Sequence, residues 1–163
     1  MAARKKPNKM QWFRMDLHIH TPASADYQDA GVTYLDILHK AEARNLDIIA
    51  FTDHNTVGGY RAMRDEIDKL SFLESLKRAT PEEQRRLSEY RRLMGKILIL
   101  PGFEFTATFG FHILGIFPPD ITTRELEHIL LSLNVPPDTL DKGSSVVGAS
   151  SDVLTAYRVI HAA

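Results

Sequence analysis

Cysteine is absent from the 163 residues. That excludes disulfides and thiolate metal sites, so any metal must be held by histidine, aspartate and glutamate. No apolar run approaches the roughly 20 residues of a membrane span, and the N-terminus lacks the apolar core of a signal peptide. The expectation is a protein of the reducing cytoplasm with no membrane partner. Neither sign of charge is in excess: 20 Lys and Arg stand against 21 Asp and Glu, so there is no global field to draw in nucleic acid. Internal repeats and low-complexity blocks are missing too. So are the Gly-x-Ser-x-Gly turn of a serine nucleophile and the glycine-lysine signature of a P-loop.

What is present suits one soluble α/β domain. The hydrophobic share is 44% and the charged share 25%, ordinary for a globular chain. Residues 1–14 carry Arg4, Lys5, Lys6, Lys9 and Arg14 without an acid and read as a solvated arm that could touch phosphates; residues 15–163 form the body. Strands are predicted over 15–19, 46–51, 97–100 (closed by Pro101-Gly102) and 111–117. Helices are predicted over 33–45, 57–70, 81–94, from Thr122 or Thr123 to Leu133, and from Asp152 to the end. Residues 134–151, rich in serine, proline and glycine, read as a loop or lid. The alternation implies parallel βαβ architecture, either barrel or open sheet.

The polar groups sit where such a sheet does its chemistry. Asp16-Leu17-His18-Ile19-His20-Thr21 sends two imidazoles to one face of a strand. Phe51-Thr52-Asp53-His54-Asn55 and Gly102-Phe103-Glu104-Phe105 put ionisable groups at or just past two more strand ends, where barrel enzymes place function. His112, in Phe111-His112-Ile113-Leu114-Gly115, falls near the start of its strand, so it needs a bend or a late strand boundary to join them. Asp26 can fold back from the loop after His20. Each residue has a plainer use taken singly: a His-x-His pair is commonplace, Asp53-His54 could be a turn, Glu104 could pair with an arginine, and His112 could be a core histidine. Together they point to a metal, because burying them without one would strand several desolvated polar atoms. Imidazole and carboxylate donors suit zinc, manganese or iron, and Glu104 could bridge two ions.

In order and spacing these four motifs resemble the opening motifs of the PHP (polymerase and histidinol phosphatase) family, over roughly residues 14–118. The resemblance implies a distorted (β/α)7 TIM-like barrel holding up to three divalent ions, usually zinc, manganese or iron. Substrates of the family include phosphomonoesters, nucleoside bisphosphates and nucleic-acid ends. Carried over by motif, His18 and His20 would bind the first ion, Glu104 would bridge, His112 would serve the second ion, and Asp26 with His54 the third. Asp53 would assist from behind, orienting a histidine. The loop Pro22-Ala23-Ser24 and the lead-in Gln11-Trp12-Phe13-Arg14 are similar to PHP modules at the start of large ATPases.

The family pattern continues with a later His and an Asp-x-His pair that this sequence lacks, and His161 is not counted as a ligand. The expectation is therefore the front part of a barrel, continued in a longer polypeptide with a possible ATPase region beyond. The implied activity is phosphoester hydrolysis by metal-activated hydroxide, which needs no protein nucleophile. Arg85, Arg86, Arg91 and Arg92 are expected to solvate a helix face rather than to bind substrate. The alternative is a metal-holding module that regulates a larger ATPase without turnover. Amide hydrolysis by the same metal logic is a third option.

Overall fold

The apolar run ending at Phe51 becomes the inner strand of a four-stranded sheet. In a computed structural model, which describes residues 12–29, 31–146 and 150–163, β1 (Met15–Ile19), β2 (Ile48–Phe51), β3 (Leu98–Thr106) and β4 (His112–Ile116) lie side by side in that order. β1, β2 and β3 run parallel, and β4 returns antiparallel to β3. The sheet is curled into a half-barrel and carries α-helices, a mixed α/β architecture. Most of the basic arm expected over 1–14 lies outside the described residues. Its end, Arg14, is tied to the sheet: its N–H donates to Asp47 Oδ2 at 2.7 Å and its carbonyl accepts from Asp47 N–H.

Two expectations for the strands need correction. An all-parallel sheet fails at β4, because residues 107–111 alone separate it from β3 and a parallel crossover needs about a dozen residues or more. Nor does Pro101-Gly102 close β3, which runs on to Thr106. Pro101 is the last residue in the regular β2 register, opposite Phe51, and β4 pairing begins one residue later at Gly102. Its missing N–H therefore falls at a changeover between neighbours, where proline is tolerated.

The helices start where the sequence caps them. Thr33, Thr80 and Thr122 each accept from the N–H three residues on, and Asp36, Glu83 and Glu125 reach back to the cap N–H. They open α1 (Tyr34–Ala43), α3 (Pro81–Met94) and α4 (Thr123–Ser132); α2 spans Gly58–Ser75, and Asp152 caps α5 (Val153–Ala162). One core, with Leu38, Ile49, Phe51, Met63, Leu87, Tyr90 and Leu93, joins α1, α2 and α3 to β2. A second, with Phe103, Phe105, Ile113, Leu126, Leu130 and Ala156, joins β3 and β4 to α4 and α5. The arginines of α3 do more than solvate: Arg86 pairs with Glu66, Arg91 with Glu74 at 2.7 Å, and Arg92 with Glu42 at 2.6 Å, each reaching another helix. Among the described residues no helix is long and apolar enough to cross a membrane.

Gly102 fixes how closely β3 and β4 approach, since a Cβ there would lie 2.5 Å from the Gly115 carbonyl oxygen. Gly102→Ala is expected to cost about 1–3 kcal/mol, the usual range for overpacking. Thr80→Ala, at the start of α3, should cost about 1 kcal/mol as the loss of a cap. Urea midpoints of the two variants check both costs, and a Gly102→Ala variant as stable as the parent would show that the strands can separate freely.

Candidate metal centre

Strand geometry delivers the polar side chains to one rim. β1 does not run in simple register: its pairing with β2 slips by one residue between Asp16 and Ile19, an irregularity of the kind that re-aims side chains beside functional sites. His18 and His20 leave it with their Nε2 atoms 3.2 Å apart. His54 follows β2 and bridges to Glu104 in the sheet, so Glu104 lies inside β3 rather than past its end. The antiparallel return answers the difficulty of His112. The start of β4 sits beside the end of β3, with Thr106 opposite His112, so an imidazole at a strand start reaches the same rim.

Glu104 is the hub. Its Oε2 lies 3.1 Å from His18 Nε2, 2.8 Å from His20 Nε2 and 3.1 Å from His54 Nδ1, while Oε1 contacts His112 Nδ1. Burial alone would push this carboxyl up, but the hydrogen bonds of His18, His112 and His20 and the charge of His54 hold it below its usual range. Asp26 approaches from the loop after β1, Oδ2 at 3.3 Å from His54 Nε2 and Oδ1 at 3.6 Å from His20 Nδ1. Burial pushes its carboxyl up and the two histidines outweigh that, leaving it low.

Three overlapping groups could each hold an ion: His18, His20 and Glu104; His20, Asp26 and His54; and His54, Glu104 and His112, with the donor atoms of each within 4.8 Å of one another. Hydrogen bonding alone fits these contacts poorly. Two Nε2 atoms face both each other and the same carboxylate oxygen, so if both bear hydrogen they oppose, and if one does not it loses its bond to Glu104. His54 Nδ1 is buried and makes no hydrogen bond of acceptable geometry despite its 3.1 Å approach to Oε2. Donors about 2.0–2.1 Å from a shared zinc would stand about 2.9–3.4 Å apart, a range that includes the 3.1 Å approaches of His18 and His54 to Glu104, the 3.2 Å between His18 and His20, and the 3.3 Å between His54 and Asp26. The groups are not independent, however. His20 and His54 each turn one ring nitrogen to Glu104 and the other to Asp26, and a neutral imidazole has one free lone pair to give.

Compared with models of known protein families and with curated protein sequences, the chain matches none.

Asp53 has a different task from the one expected. It touches no histidine through a hydrogen bond; it is the buried anchor of the 21–26 loop. Oδ1 accepts from Thr21 N–H at 2.6 Å and from the Ser24 hydroxyl at 2.8 Å, and Oδ2 accepts from the Thr21 hydroxyl at 2.8 Å. Ser24 Oγ in turn accepts from His54 N–H at 3.2 Å, so the hydrogen-bond path from the Asp53 carboxylate to the histidine runs through the loop. Burial pushes the Asp53 carboxyl up against those hydrogen bonds. Gly59 makes room for this knot, since a Cβ there would lie 2.1 Å from Thr21 Oγ1 and 2.2 Å from Asp53 Oδ2.

Sequence reading missed Thr21, Ser24, Gly59 and Asn55. Asn55 takes a left-handed backbone (φ 50°), which asparagine tolerates, and binds Thr106 through both ends of its amide. The only signal for it was an asparagine directly after Asp53-His54. A cleft of about 530 Å³ borders the centre, lined by His18, His20, Tyr27, Val32, Lys40 and Arg44 among others.

Asp53→Asn is expected to lower stability by about 1–3 kcal/mol, as befits broken buried hydrogen bonds, while leaving every ion donor in place. Its thermal unfolding should still shift upward on adding zinc or manganese. A variant as stable as the parent would contradict the anchoring role.

Proposed function

We propose that this chain is a metal-dependent phosphoesterase of the PHP type, its curled sheet forming part of a distorted (β/α)7 barrel. The observation that carries the reading is the convergence of four imidazoles on one buried carboxylate at the sheet's rim. His18, His20, Glu104, His54, His112 and Asp26 would hold divalent zinc, manganese or iron. Bound there, such ions supply Lewis acidity, lowering the pKa of water from about 15.7 toward about 7 and offsetting phosphate charge.

The chain's own groups fit that division of labour. The Thr21 and Ser24 hydroxyls are committed to Asp53 and not free to attack a phosphorus atom. Lys40 and Arg44 stand in the cleft beside His18 and His20, where a phosphate ester or its leaving group would meet positive charge. Four histidines with two carboxylates form a donor set whose net charge stays low, so bound divalent ions would leave the rim cationic and suited to an anionic substrate, either a small phosphate ester or a nucleic-acid end. A second reading is a metal-holding module that regulates a larger ATPase without turnover, which the same six donors would serve equally well.

The test is phosphate or nucleotide release from a panel of phosphomonoesters and short oligonucleotides with manganese or zinc supplied. Turnover is expected, with Glu104→Gln and His18→Ala each losing at least about a hundredfold, since even groups behind metal ligands cost 10–100-fold. Tight metal binding with no turnover on any of these substrates would favour the second reading. Failure to bind metal would end both.

A further inference from the structure

Asp26 is the most exposed carboxylate of the centre, its side chain 54% accessible, and it sits in a loop with no regular structure. Something must hold it toward His54 and His20. Asp53 and Gly59 secure the start of the loop at Thr21 and Ser24, and the part nearest Asp26 is gripped from elsewhere. Ala25 N–H donates to the carbonyl of Gly143 at 2.8 Å, one residue before Asp26. Gly143 has a left-handed backbone (φ 56°) and packs so closely that a Cβ would lie 1.9 Å from the Ala23 carbonyl oxygen. The flanking residues are secured as well: Asp141 pairs with Arg61, which also pairs with Glu127, and the Ser144 carbonyl accepts from Asn55 Nδ2 at 2.8 Å.

We infer that residues 141–144 form a strap that sets the Asp26 subsite, with Gly143 a positioning residue that holds Asp26 in reach of an ion shared with His54 and His20. The inference rests on the metal reading above. Two fixed points hold the strap, Arg61 of α2 on one side and Asn55 beside His54 on the other, and between them Gly143 accepts a backbone hydrogen bond from Ala25 of the ligand loop. Glycine suits that position because the left-handed backbone disfavours a side chain and the space beside Ala23 excludes one. Displacing the strap would move Asp26 while leaving His18, Glu104 and His112 on their strands.

Stepwise zinc and manganese affinities, with bound metal counted by elemental analysis, test this in the full chain, Asp26→Asn, Gly143→Ala and the double variant. Asp26→Asn should weaken one ion and spare the ion at His18 and Glu104. Gly143→Ala should weaken the same ion by about tenfold or more, in the range of groups that support metal ligands. The double variant should bind as Asp26→Asn does, because Gly143 acts only through Asp26. An unchanged affinity in Gly143→Ala, an effect that adds to that of Asp26→Asn, or an Asp26→Asn variant that binds like the parent would each overturn the strap while leaving the Glu104 site standing. If Gly143→Ala does not fold, Arg61→Ala decides: it frees Asp141 and should weaken the Asp26-dependent ion about threefold, and no change overturns the proposal. A parent chain that binds no metal refutes the metal reading itself.

Discussion

Everything at the rim is arranged around a single buried carboxylate facing four imidazoles. Left alone, Glu104 would favour its neutral form, because removing an ionised carboxylate from water is costly. Four ring nitrogens reverse that preference and hold it ionised. Their mutual crowding then creates a second problem, since nitrogens this close to one another and to one oxygen cannot all be satisfied by protons. A divalent cation among these donors would resolve both at once, and three overlapping groups of them could hold one.

Behind the donors lies a second polar stratum that contains no candidate ligand. Thr21, Ser24, Asp53, Asn55 and Thr106 are all buried and bonded to one another or to the backbone. Its role is mechanical. The sheet fixes His18, Glu104 and His112 directly and His20 follows β1 by one residue, whereas Asp26 sits in a loop and His54 is joined to the sheet by a single bridge, so side-chain hydrogen bonds must supply their rigidity. Concentrating those bonds at Asp53 and Asn55, on either side of His54, gives the loop region some of the stiffness a strand has from its ladder.

Much of this was legible in the residues. Thr122 and Thr123, Pro81 at a helix start and the apolar run to Phe51 mark their elements because each is a local signal. The donors at the rim were legible too, since alternation in a strand is a local rule. What escaped was non-local. Pro101-Gly102 reads as a terminator by itself, and only the arrival of β4 shows that Gly102 is there for close approach. Asp53 beside His54 suggests a partner for an imidazole, yet its partners lie about thirty positions earlier in the chain, in a loop no pattern describes. The position of His112 was puzzling for the same reason: the direction of β4 follows from the shortness of the connection, not from the strand's own composition.

That short connection also bears on how the centre comes together. His112 and Glu104 are eight residues apart, whereas His18 and Glu104 are separated by 86. Closing the hairpin costs little chain entropy and the long loop costs more, so the β3–β4 turn can supply a half-built anion-and-imidazole pair before the N-terminal strand docks. On that order the amino-terminal histidines would arrive at a carboxylate that already has a neighbour, and docking of β1 on β2 would bring His18 and His20 to Glu104.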